Sequence, residues 1–242
     1  SSARTPGLQL ISGGLGGLGL RAAEMLVKSG VCRVLLASRS GRVVRDGQGL
    51  EMQLQSMSVA ATILACDSAD APDTNAVLCA TSLTGVLHAA GTGDKGLLID
   101  LTAQRAQWMY ASKAMGASHL QHAAATTAVE TRVLFSSVGS GLGNVGQASY
   151  AAGNACLDAH ALSRRASGAT ACCVQWPLVG GAGMGAAAFD ALRERQVAIA
   201  GLAGITLEEY VTCLKVGLMA DVGVAGSVQV AHRSHVQSVL QD

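Results

Sequence analysis

The stretch LQLISGGLGGLGLRAAEMLVK, residues 8–28, decides how the fold of this chain is interpreted. Its first five residues are a short apolar run typical of a buried strand, and apolar residues recur at helical spacing towards its end. Between the two patterns, Gly14, Gly16 and Gly19 form a G-x-G-x-x-G motif. Glycines so spaced permit a tight turn, a close approach of backbone to a pyrophosphate, and close packing of helix on strand. The motif predicts a dinucleotide-binding turn; the alternative is a glycine-rich turn without a ligand.

Strand-like and helix-like patterns alternate along the rest of the chain. Six further runs of β-branched and aliphatic residues predict strands at residues 32–38, 59–65, 84–90, 132–137, 169–176 and 227–232. Apolar residues at three- and four-residue spacing predict helices at residues 18–30, 50–57, 101–125, 148–166 and 207–219. Because the strands are continuously apolar, they predict an α/β fold, in which a doubly wound parallel sheet of the Rossmann type is covered by helices on both faces.

The length of the chain predicts its domain organisation. A chain of 242 residues without an internal repeat or a domain-sized linker fits one large α/β domain, so residues 1–242 are predicted to form a single domain. The segment 177–190 is too glycine-rich to form stable structure by itself. A region of about 177–205 is therefore predicted to be a mobile lid over a site.

Composition and charge exclude several classes of function. The net charge is +1, from 17 basic and 16 acidic residues without a basic run, so nucleic acid is not an expected partner. No apolar stretch has the length of a membrane span and the N-terminus has no signal-peptide pattern, so a cytoplasmic protein without membrane contact is expected. The seven cysteines contain no C-x-x-C pair and predict reduced, mostly buried thiols. The six histidines lack metal-ligand spacing, so no metal site is expected.

The residue that follows the second predicted strand indicates which dinucleotide the turn would bind. Rossmann domains that bind NAD usually carry an acidic residue about 20 residues beyond the glycines, where it holds the ribose hydroxyls. Here Arg39 stands at that point, between Ser38 and Ser40. A guanidinium and two hydroxyls suit a 2′-phosphate, so NADPH is the predicted cofactor. A solvated loop arginine is the alternative.

The ends of other predicted strands would complete the cofactor site, because carboxyl ends of parallel strands meet at one edge of a sheet. Asp67 and Ser68 follow the third strand, where the adenine would lie. The sequence HAAG, residues 88–91, follows the fourth, and its small residues would let backbone lie against the cofactor. The full predicted cofactor-binding set is Gly13, Gly14, Leu15, Gly16, Gly17, Leu18, Gly19, Ser38, Arg39, Ser40, Asp67, Ser68, His88, Ala89, Ala90, Gly91, Lys113, Tyr150, Pro177, Leu178 and Val179.

A second group of polar residues lies around the fifth predicted strand. Ser137 ends that strand, and Tyr150 and Asn154 are four residues apart on the following helix, so they share one face. A phenol with a pKa of about 10 is a poor acid near neutral pH, and a nearby ammonium lowers that pKa. The sequence YAAGN does not supply a lysine, and Lys113 is the nearest candidate. The alternative for Lys113 is an exposed helix lysine.

Seven motifs resemble one known family in order and spacing: SGGLGGLG, LLASRSG, ACDSAD, TGVLHAAG, ASKAMGASHL, FSSVGSGLGNVGQASYAAGNACLDA and VQWPLVGGAGM. The chain resembles the ketoreductase domains of modular polyketide synthases and animal-type fatty acid synthases, within the short-chain dehydrogenase/reductase superfamily. The resemblance extends from about residue 8 to about residue 232. These domains exchange the lysine and asparagine positions of the ordinary Y-x-x-x-K motif, and YAAGN with an upstream lysine has that exchange.

The resemblance implies a role for each of four catalytic residues. Tyr150 would donate a proton, and Ser137 would hydrogen-bond the ketone oxygen. Lys113 would lower the pKa of Tyr150 and hold the nicotinamide ribose. Asn154 would support Lys113 or a proton-relay water. The implied reaction is reduction of a β-ketoacyl thioester by NADPH to the β-hydroxyacyl thioester, in polyketide or fatty acid biosynthesis.

The resemblance also implies partners and shows departures. An acyl carrier protein would deliver the substrate on its phosphopantetheine arm, and neighbouring synthase domains would surround this one. The family's upstream structural subdomain is missing, so the chain is expected to be an excised piece of a larger synthase. Neither stereochemical fingerprint of the family is complete, since Asp94 alone remains of LDD and Leu142 replaces a tryptophan, so the alcohol configuration stays open. A catalytically silent Rossmann scaffold and a free-standing reductase of small alcohols are the alternative functions.

Overall fold

A seven-stranded sheet forms the centre of the fold in this computed structural model, which describes residues 7–43, 48–93, 95–124, 129–143, 145–195, 203–219 and 227–229. The strands are β1 Leu8–Ser12, β2 Arg33–Ser38, β3 Ala61–Ala65, β4 Leu83–His88, β5 Thr131–Ser137, β6 Cys172–Trp176 and β7 Ser227–Gln229. Their order in the sheet is β3-β2-β1-β4-β5-β6-β7. Strand β1 pairs in parallel with β2 and β4, as do β2 with β3, β4 with β5, and β6 with β7. The predicted doubly wound parallel α/β fold is confirmed.

Helices connect the strands. They are α1 Gly17–Lys28, α2 Leu50–Ser56, α3 Ala71–Cys79, α4 Ala103–Tyr110, α5 Gly116–Ala123, α6 Gly139–Leu142, α7 Ala148–Ala166, α8 Ala186–Glu194 and α9 Leu207–Met219. A π-helical turn, Ala111–Met115, joins α4 to α5, and a 3₁₀ turn forms at Leu98–Asp100. No helix in the described ranges combines the length and apolar character that a membrane crossing requires.

The chain divides into two compact units, here called the first and second units. The first unit comprises residues 1–91 and 111–134. In it, β1 lies between β2 and β4, with Leu10 opposite both Leu35 and Val86. These three buried side chains belong to an aliphatic cluster that also includes Leu78, Leu83 and Leu120. No phenylalanine, tryptophan or tyrosine occurs in the sequence of this unit.

The second unit comprises residues 92–110 and 135–242, and all the aromatic residues of the chain belong to it. Phe135, Trp176 and Tyr210 form a buried cluster. The ring centroids of Trp176 and Tyr210 are 4.6 Å apart, and that of Phe135 lies 5.7 Å from Trp176. Tilted aromatic contacts of this kind stabilise a fold beyond the area that they bury.

Several elements differ from the sequence-based predictions, including the short helix α6, which lies in a stretch predicted to be a connection. Helix α3 was not predicted, although the Asp70 carboxylate caps it by accepting a hydrogen bond from Asp73 N at 2.9 Å. The single helix predicted at 101–125 is interrupted by the π-helical turn. The segment predicted to be irregular becomes helical at Ala186, where the glycines end and α8 begins, and Phe189 packs over Gly180 and Gly204.

The seven cysteines are free thiols, as predicted, but fewer of them are buried than expected. Cys66, Cys172 and Cys173 are buried, whereas Cys32 and Cys79 are exposed. Within the described ranges, no group of three or more histidine, cysteine, aspartate or glutamate side chains is placed to hold a metal ion.

Candidate functional site

The glycine turn after β1 has no room for side chains. Gly13 has a φ of +71°, and a Cβ atom built on it would lie 2.6 Å from the Ala90 backbone. A Cβ atom on Gly14 would lie 2.7 Å from the Ile11 carbonyl oxygen, and one on Gly19 would lie 2.3 Å from the Gly13 carbonyl oxygen. The backbone is therefore folded tightly enough that larger residues at these positions would displace it.

Helix α1 begins directly in this turn. Its first residue is Gly17, no side chain caps its first turn, and that turn contains no acidic residue. The N-terminal amides and the positive end of the helix dipole favour an anion at such a place. Leu15 is buried and Leu18 is half-buried beside the turn. The geometry fits the pyrophosphate of a dinucleotide.

The end of β2 presents the residues that were predicted to select NADPH. The Arg39 side chain is exposed and has no hydrogen bond or ion pair with any residue that the structure describes. Ser38 Oγ accepts a hydrogen bond from Gly41 N at 3.1 Å, and Ser40 Oγ accepts one from Arg42 N at 3.3 Å. The two serines therefore shape the loop, and the guanidinium of Arg39 remains available for a phosphate.

The ends of β3 and β4 lie in the same unit. Asp67 Oδ1 accepts a hydrogen bond from Ala69 N at 3.0 Å, and the buried Ser68 carbonyl lies 3.2 Å from His119 Nδ1. At the end of β4, Ala89 N donates to the Ser12 carbonyl at 2.9 Å, so the HAAG segment follows the edge of β1. The His88 side chain is fully buried, whereas Ala89, Ala90 and Gly91 are half-buried and could lie against a cofactor.

Lys113 is buried rather than exposed. It lies in the π-helical turn, and 4% of it is accessible to solvent. A Cβ atom on Gly91 would lie 2.6 Å from Lys113 Cε and 3.0 Å from Nζ, so the side chain runs along Gly91. Buried lysines are rare because desolvating an ammonium is costly. The alternative of an exposed helix lysine is wrong.

Ser137 ends β5 in the second unit. Its Oγ accepts a hydrogen bond from Gly139 N at 3.2 Å, which leaves the hydroxyl hydrogen available for donation. The next residue is fixed as well, because Val138 N donates to the Trp176 carbonyl at 3.0 Å. The hydroxyl therefore has a defined position at the end of the strand.

Tyr150 and Asn154 lie one turn apart in α7. Asn154 Nδ2 donates to the Tyr150 carbonyl at 2.9 Å, and Ser136 Oγ donates to the Asn154 carbonyl at 3.3 Å. Asn154 is fully buried, and its Oδ1 accepts no hydrogen bond from the described part of the chain. A buried acceptor without a donor is costly, so this atom is suited to receive a water molecule or an ammonium.

A polar network next to these residues was not predicted. Ser140 Oγ donates to Asp158 Oδ2 at 2.6 Å, and Gln175 Nε2 donates to the same oxygen at 2.8 Å. Burial, followed by the hydrogen bond to Asp158, raises the pKa of the Cys173 thiol, which therefore stays protonated as a donor. The network holds the start of α6 to α7 and β6. The position of Asp158 could have indicated this network, because Asp158 lies one helical turn after Asn154 on the same face of the helix.

The residues after β6 form a fixed start for the predicted lid. Val179 bridges Ile205 in parallel, with Ile205 N donating to the Leu178 carbonyl at 2.8 Å. Pro177 and Val179 are buried. Part of the lid, residues 196–202, lies outside the described residues, as does Asp94.

The predicted site residues fall into two sets. The first unit contains the glycine turn, the residues after β2, β3 and β4, and Lys113. The second unit contains Ser137, Tyr150, Asn154 and the segment Pro177–Val179. Within the first unit, Gly13 lies against Ala90 and Lys113 against Gly91; within the second, Ser136 donates to the Asn154 carbonyl.

Comparisons with known proteins identify the family. The family model described as "KR domain" matches residues 7–181 of the chain. The chain belongs to the ketoreductase domains of polyketide synthases. This ketoreductase is 36% identical over 221 residues to the spectinabilin polyketide synthase system protein NorB of Streptomyces orinoci, an alignment that covers 89% of this chain and 10% of that protein.

Solved ketoreductases share the fold. A structure described as "A-type Ketoreductases from Modular Polyketide Synthase" has a TM-score of 0.81 at 33% identity and covers 95% of this chain and 48% of that one. The ketoreductase PlmKR1, from the first module of phoslactomycin biosynthesis in Streptomyces sp. HK803, has a TM-score of 0.82 at 31% identity, over 96% of this chain and 54% of that one.

The relatives are much longer than this chain. The ketoreductase spans about a tenth of NorB and about half of the structure described as A-type. Its relatives are modules within polyketide synthases, where such a domain has neighbouring synthase domains. Ketoreductases of these synthases are oxidoreductases that use a nicotinamide cofactor to reduce ketoacyl groups.

Proposed function

We propose that this domain is an active NADPH-dependent ketoreductase, which reduces a β-ketoacyl thioester on an acyl carrier protein to the β-hydroxyacyl thioester in polyketide or fatty acid biosynthesis. One observation carries the proposal. Ser136 donates to the Asn154 carbonyl, and Asn154 donates to the Tyr150 carbonyl. These two hydrogen bonds therefore link the end of β5, which bears Ser137, to the turn of α7 that bears Tyr150.

The first unit supplies the features that a dinucleotide requires. The glycine turn and the uncapped N-terminus of α1 would hold the pyrophosphate, and Arg39 would bind the 2′-phosphate. Asp67 and Ser68 would lie at the adenine, Ala89, Ala90 and Gly91 would line the cofactor with their backbone, and Lys113 would hold the ribose. In the second unit, Pro177, Leu178 and Val179 are the proposed cofactor-binding residues. When bound, NADPH supplies the hydride that reduces the carbonyl carbon.

The chain's own polar residues would manage the proton. The Ser137 hydroxyl would donate a hydrogen bond to the ketone oxygen and polarise the carbonyl group. Tyr150 would deliver a proton to that oxygen as it becomes an alcohol, because a phenol is a suitable general acid when its anion is stabilised. Lys113 would supply the ammonium that stabilises the phenolate. Asn154 Oδ1, buried and without a donor, would receive the water or ammonium that returns a proton to Tyr150.

The partners follow from the substrate. A β-ketoacyl thioester in a synthase is carried on phosphopantetheine, so an acyl carrier protein would present it to this domain. We further propose that residues 1–242 act as one catalytic domain within a larger cytoplasmic synthase, with residues of about 177–205 closing over the substrate.

The proposal is tested by following NADPH oxidation at 340 nm with a short β-ketoacyl N-acetylcysteamine thioester. Wild-type protein is compared with Tyr150→Phe, and NADPH binding of both is measured by calorimetry. Loss of a general acid costs about 10²- to 10⁴-fold in rate, so we expect turnover to fall by that factor while NADPH binding persists. Binding of NADPH without turnover by the wild-type protein would instead favour a silent scaffold domain.

A further inference from the structure

The side chain of His88 is buried at the end of β4, and both ring nitrogens contact protein groups. His88 is 0% exposed. Its Nδ1 lies 2.5 Å from Ser12 Oγ at the end of β1, and its Nε2 lies 3.2 Å from the Lys113 carbonyl oxygen. All three residues belong to the first unit. The imidazole therefore joins two strand ends to the turn that carries the lysine.

The chemistry of the two contacts fixes the tautomer of the neutral ring. A carbonyl oxygen can only accept a hydrogen bond, so Nε2 must carry the hydrogen. Nδ1 is then the acceptor, and the Ser12 hydroxyl donates to it. Ser12 thus donates to His88, and His88 donates to the Lys113 carbonyl oxygen.

The contacted carbonyl belongs to a π-helical turn, which departs from the regular i→i+4 ladder of an α-helix. The His88 N–H donates to the backbone of the same residue whose side chain the proposed reaction requires. Gly116 allows the close approach, because a Cβ atom on it would lie 3.0 Å from His88 Cε1.

The HAAG segment thus holds Lys113 at two points. His88 binds its backbone carbonyl, and Gly91, three residues later, leaves the space in which the end of the lysine side chain lies. The end of β4 thus fixes the backbone position of Lys113, and the residues that follow it leave the space for the lysine side chain. Neither contact depends on a cofactor.

From these contacts we propose that His88 is a positioning residue for Lys113, acting with Ser12 to fix the π-helical turn from which the ammonium is presented. The proposal rests on the proposed reductase function, because it assigns His88 an effect that passes through Lys113. It also gives the HAAG segment a role besides lining the cofactor.

A set of three substitutions separates the two contacts of His88. A glutamine amide reaches as far as ring Nε2 and can still donate to the Lys113 carbonyl, whereas an asparagine amide reaches only as far as Nδ1 and Ser12. His88→Leu removes both contacts. We expect His88→Leu and His88→Asn to lower kcat/KM by about 10- to 100-fold, since small misplacements of catalytic groups have effects of this size. His88→Gln should retain most of the activity.

A double-mutant cycle with Lys113→Met decides whether the effect passes through the lysine. If His88 acts by placing Lys113, His88→Leu should have little further effect on kcat/KM or on the NADPH dissociation constant in the Lys113→Met background. The dissociation constant, measured by calorimetry, provides a readout that does not depend on turnover. If His88→Leu does not fold, the comparison of His88→Gln with His88→Asn tests the proposal instead.

The outcomes separate this proposal from the one on which it rests. An equal loss from the His88 substitution in both backgrounds would overturn the positioning role, as would folded His88→Leu and His88→Asn variants with wild-type kinetics. Wild-type protein without turnover would contradict the reductase function, and the NADPH dissociation constants would then test the His88–Lys113 coupling alone.

Discussion

The two units differ in the size of the side chains around their proposed sites. The first unit makes its proposed cofactor site by leaving side chains out, at Gly13, Gly14, Gly19 and Gly91, and its core is aliphatic. The second unit fixes its proposed catalytic groups by adding large or polar side chains, in an aromatic cluster and a hydrogen-bonded network around Asp158. Close backbone approach suits recognition of a large ligand, whereas proton transfer requires a few groups held at defined positions.

The largest effect on cofactor binding and activity should come from filling the glycine turn. Gly19→Val would place its Cβ atom 2.3 Å from the Gly13 carbonyl oxygen, which is too close. A backbone atom cannot move aside as the end of a flexible side chain can. We expect NADPH affinity to fall by at least about 100-fold, which corresponds to about 2.7 kcal/mol, and turnover to disappear. Calorimetric titration with NADPH measures the change.

Gly217→Ala is a matched control for that experiment. It lies in α9 of the second unit, where a Cβ atom would meet nothing within 4 Å. Its NADPH affinity should equal that of the wild-type protein. Normal NADPH binding by a folded Gly19→Val variant would show that the turn is not the pyrophosphate site.

The aromatic cluster should contribute most to stability in the second unit. Trp176 is 3% exposed, and its ring contacts Phe135 and Tyr210. Trp176→Ala should lower the free energy of unfolding by about 3–5 kcal/mol, as expected for removing a buried aromatic side chain. Urea unfolding followed by circular dichroism at 222 nm measures the difference.

Trp176→Phe serves as the comparison, because it keeps a ring in the cluster. The Trp176 Nε1 atom is buried and has no hydrogen-bond partner in the described part of the chain, so its removal leaves no acceptor unpaired. This variant should lose much less stability than Trp176→Ala. Similar losses for the two variants would mean that the ring contacts are not what stabilises the unit.

A smaller effect is expected from the phosphate-selecting arginine. Arg39→Gln should weaken NADPH binding by about 10- to 100-fold, since a hydrogen bond to a charged group contributes about 1.5–3 kcal/mol. Binding of NADH should change little, because NADH has no 2′-phosphate. Arg42→Gln, an exposed arginine of the same loop, is the control and should bind both dinucleotides as the wild type does. An equal loss for NADPH and NADH would exclude a phosphate-specific role.

The smallest expected effect is a difference in alkylation rate between the buried and the exposed cysteines. Burial raises the pKa of Cys66 in the first unit and of Cys172 in the second, each to about 11. Because a raised pKa depletes the thiolate below it, about one molecule in a thousand carries a thiolate at either site at pH 8. Iodoacetamide at pH 8 should therefore modify the exposed Cys32 and Cys79 first, as mass spectrometry of peptides would show.

The pH dependence of that labelling has a defined sign. Modification of Cys66 and Cys172 should accelerate as the pH rises towards 11, provided that the protein stays folded. Rapid labelling of Cys66 at pH 8, with Cys172 protected, would show that the first unit opens to solvent more readily than the second.

The sequence predicted the regular parts of the fold because local patterns determine them. The strand Leu8–Ser12 and the helices α7 and α9 have the predicted boundaries, since continuous apolar runs and helical spacing are local signals. Helix α3 has weak apolar periodicity, and only its Asp70 cap and the following Pro72 mark its start. The π-helical turn gave no local signal, because the apolar spacing over residues 101–125 predicts one continuous helix.

The candidate site was predicted as a set of residues but not as a geometry. Spacing on a helix placed Tyr150 and Asn154 on one face, and motif order located Lys113 and Ser137. The burial of Lys113 and the contact of His88 with its carbonyl depend on residues 25 positions apart, so spacing within a helix could not reveal them. The network at Asp158 likewise joins residues from α6, α7 and β6.

The distribution of aromatic residues has an optical consequence. Both tryptophans and all three tyrosines belong to the second unit, so intrinsic ultraviolet fluorescence originates there alone. An emission change during denaturation or ligand addition directly reports on the environment of that half of the chain. Spectroscopists who follow the proposed dinucleotide-binding half will need an introduced fluorophore, and the exposed Cys32 provides an attachment point for one.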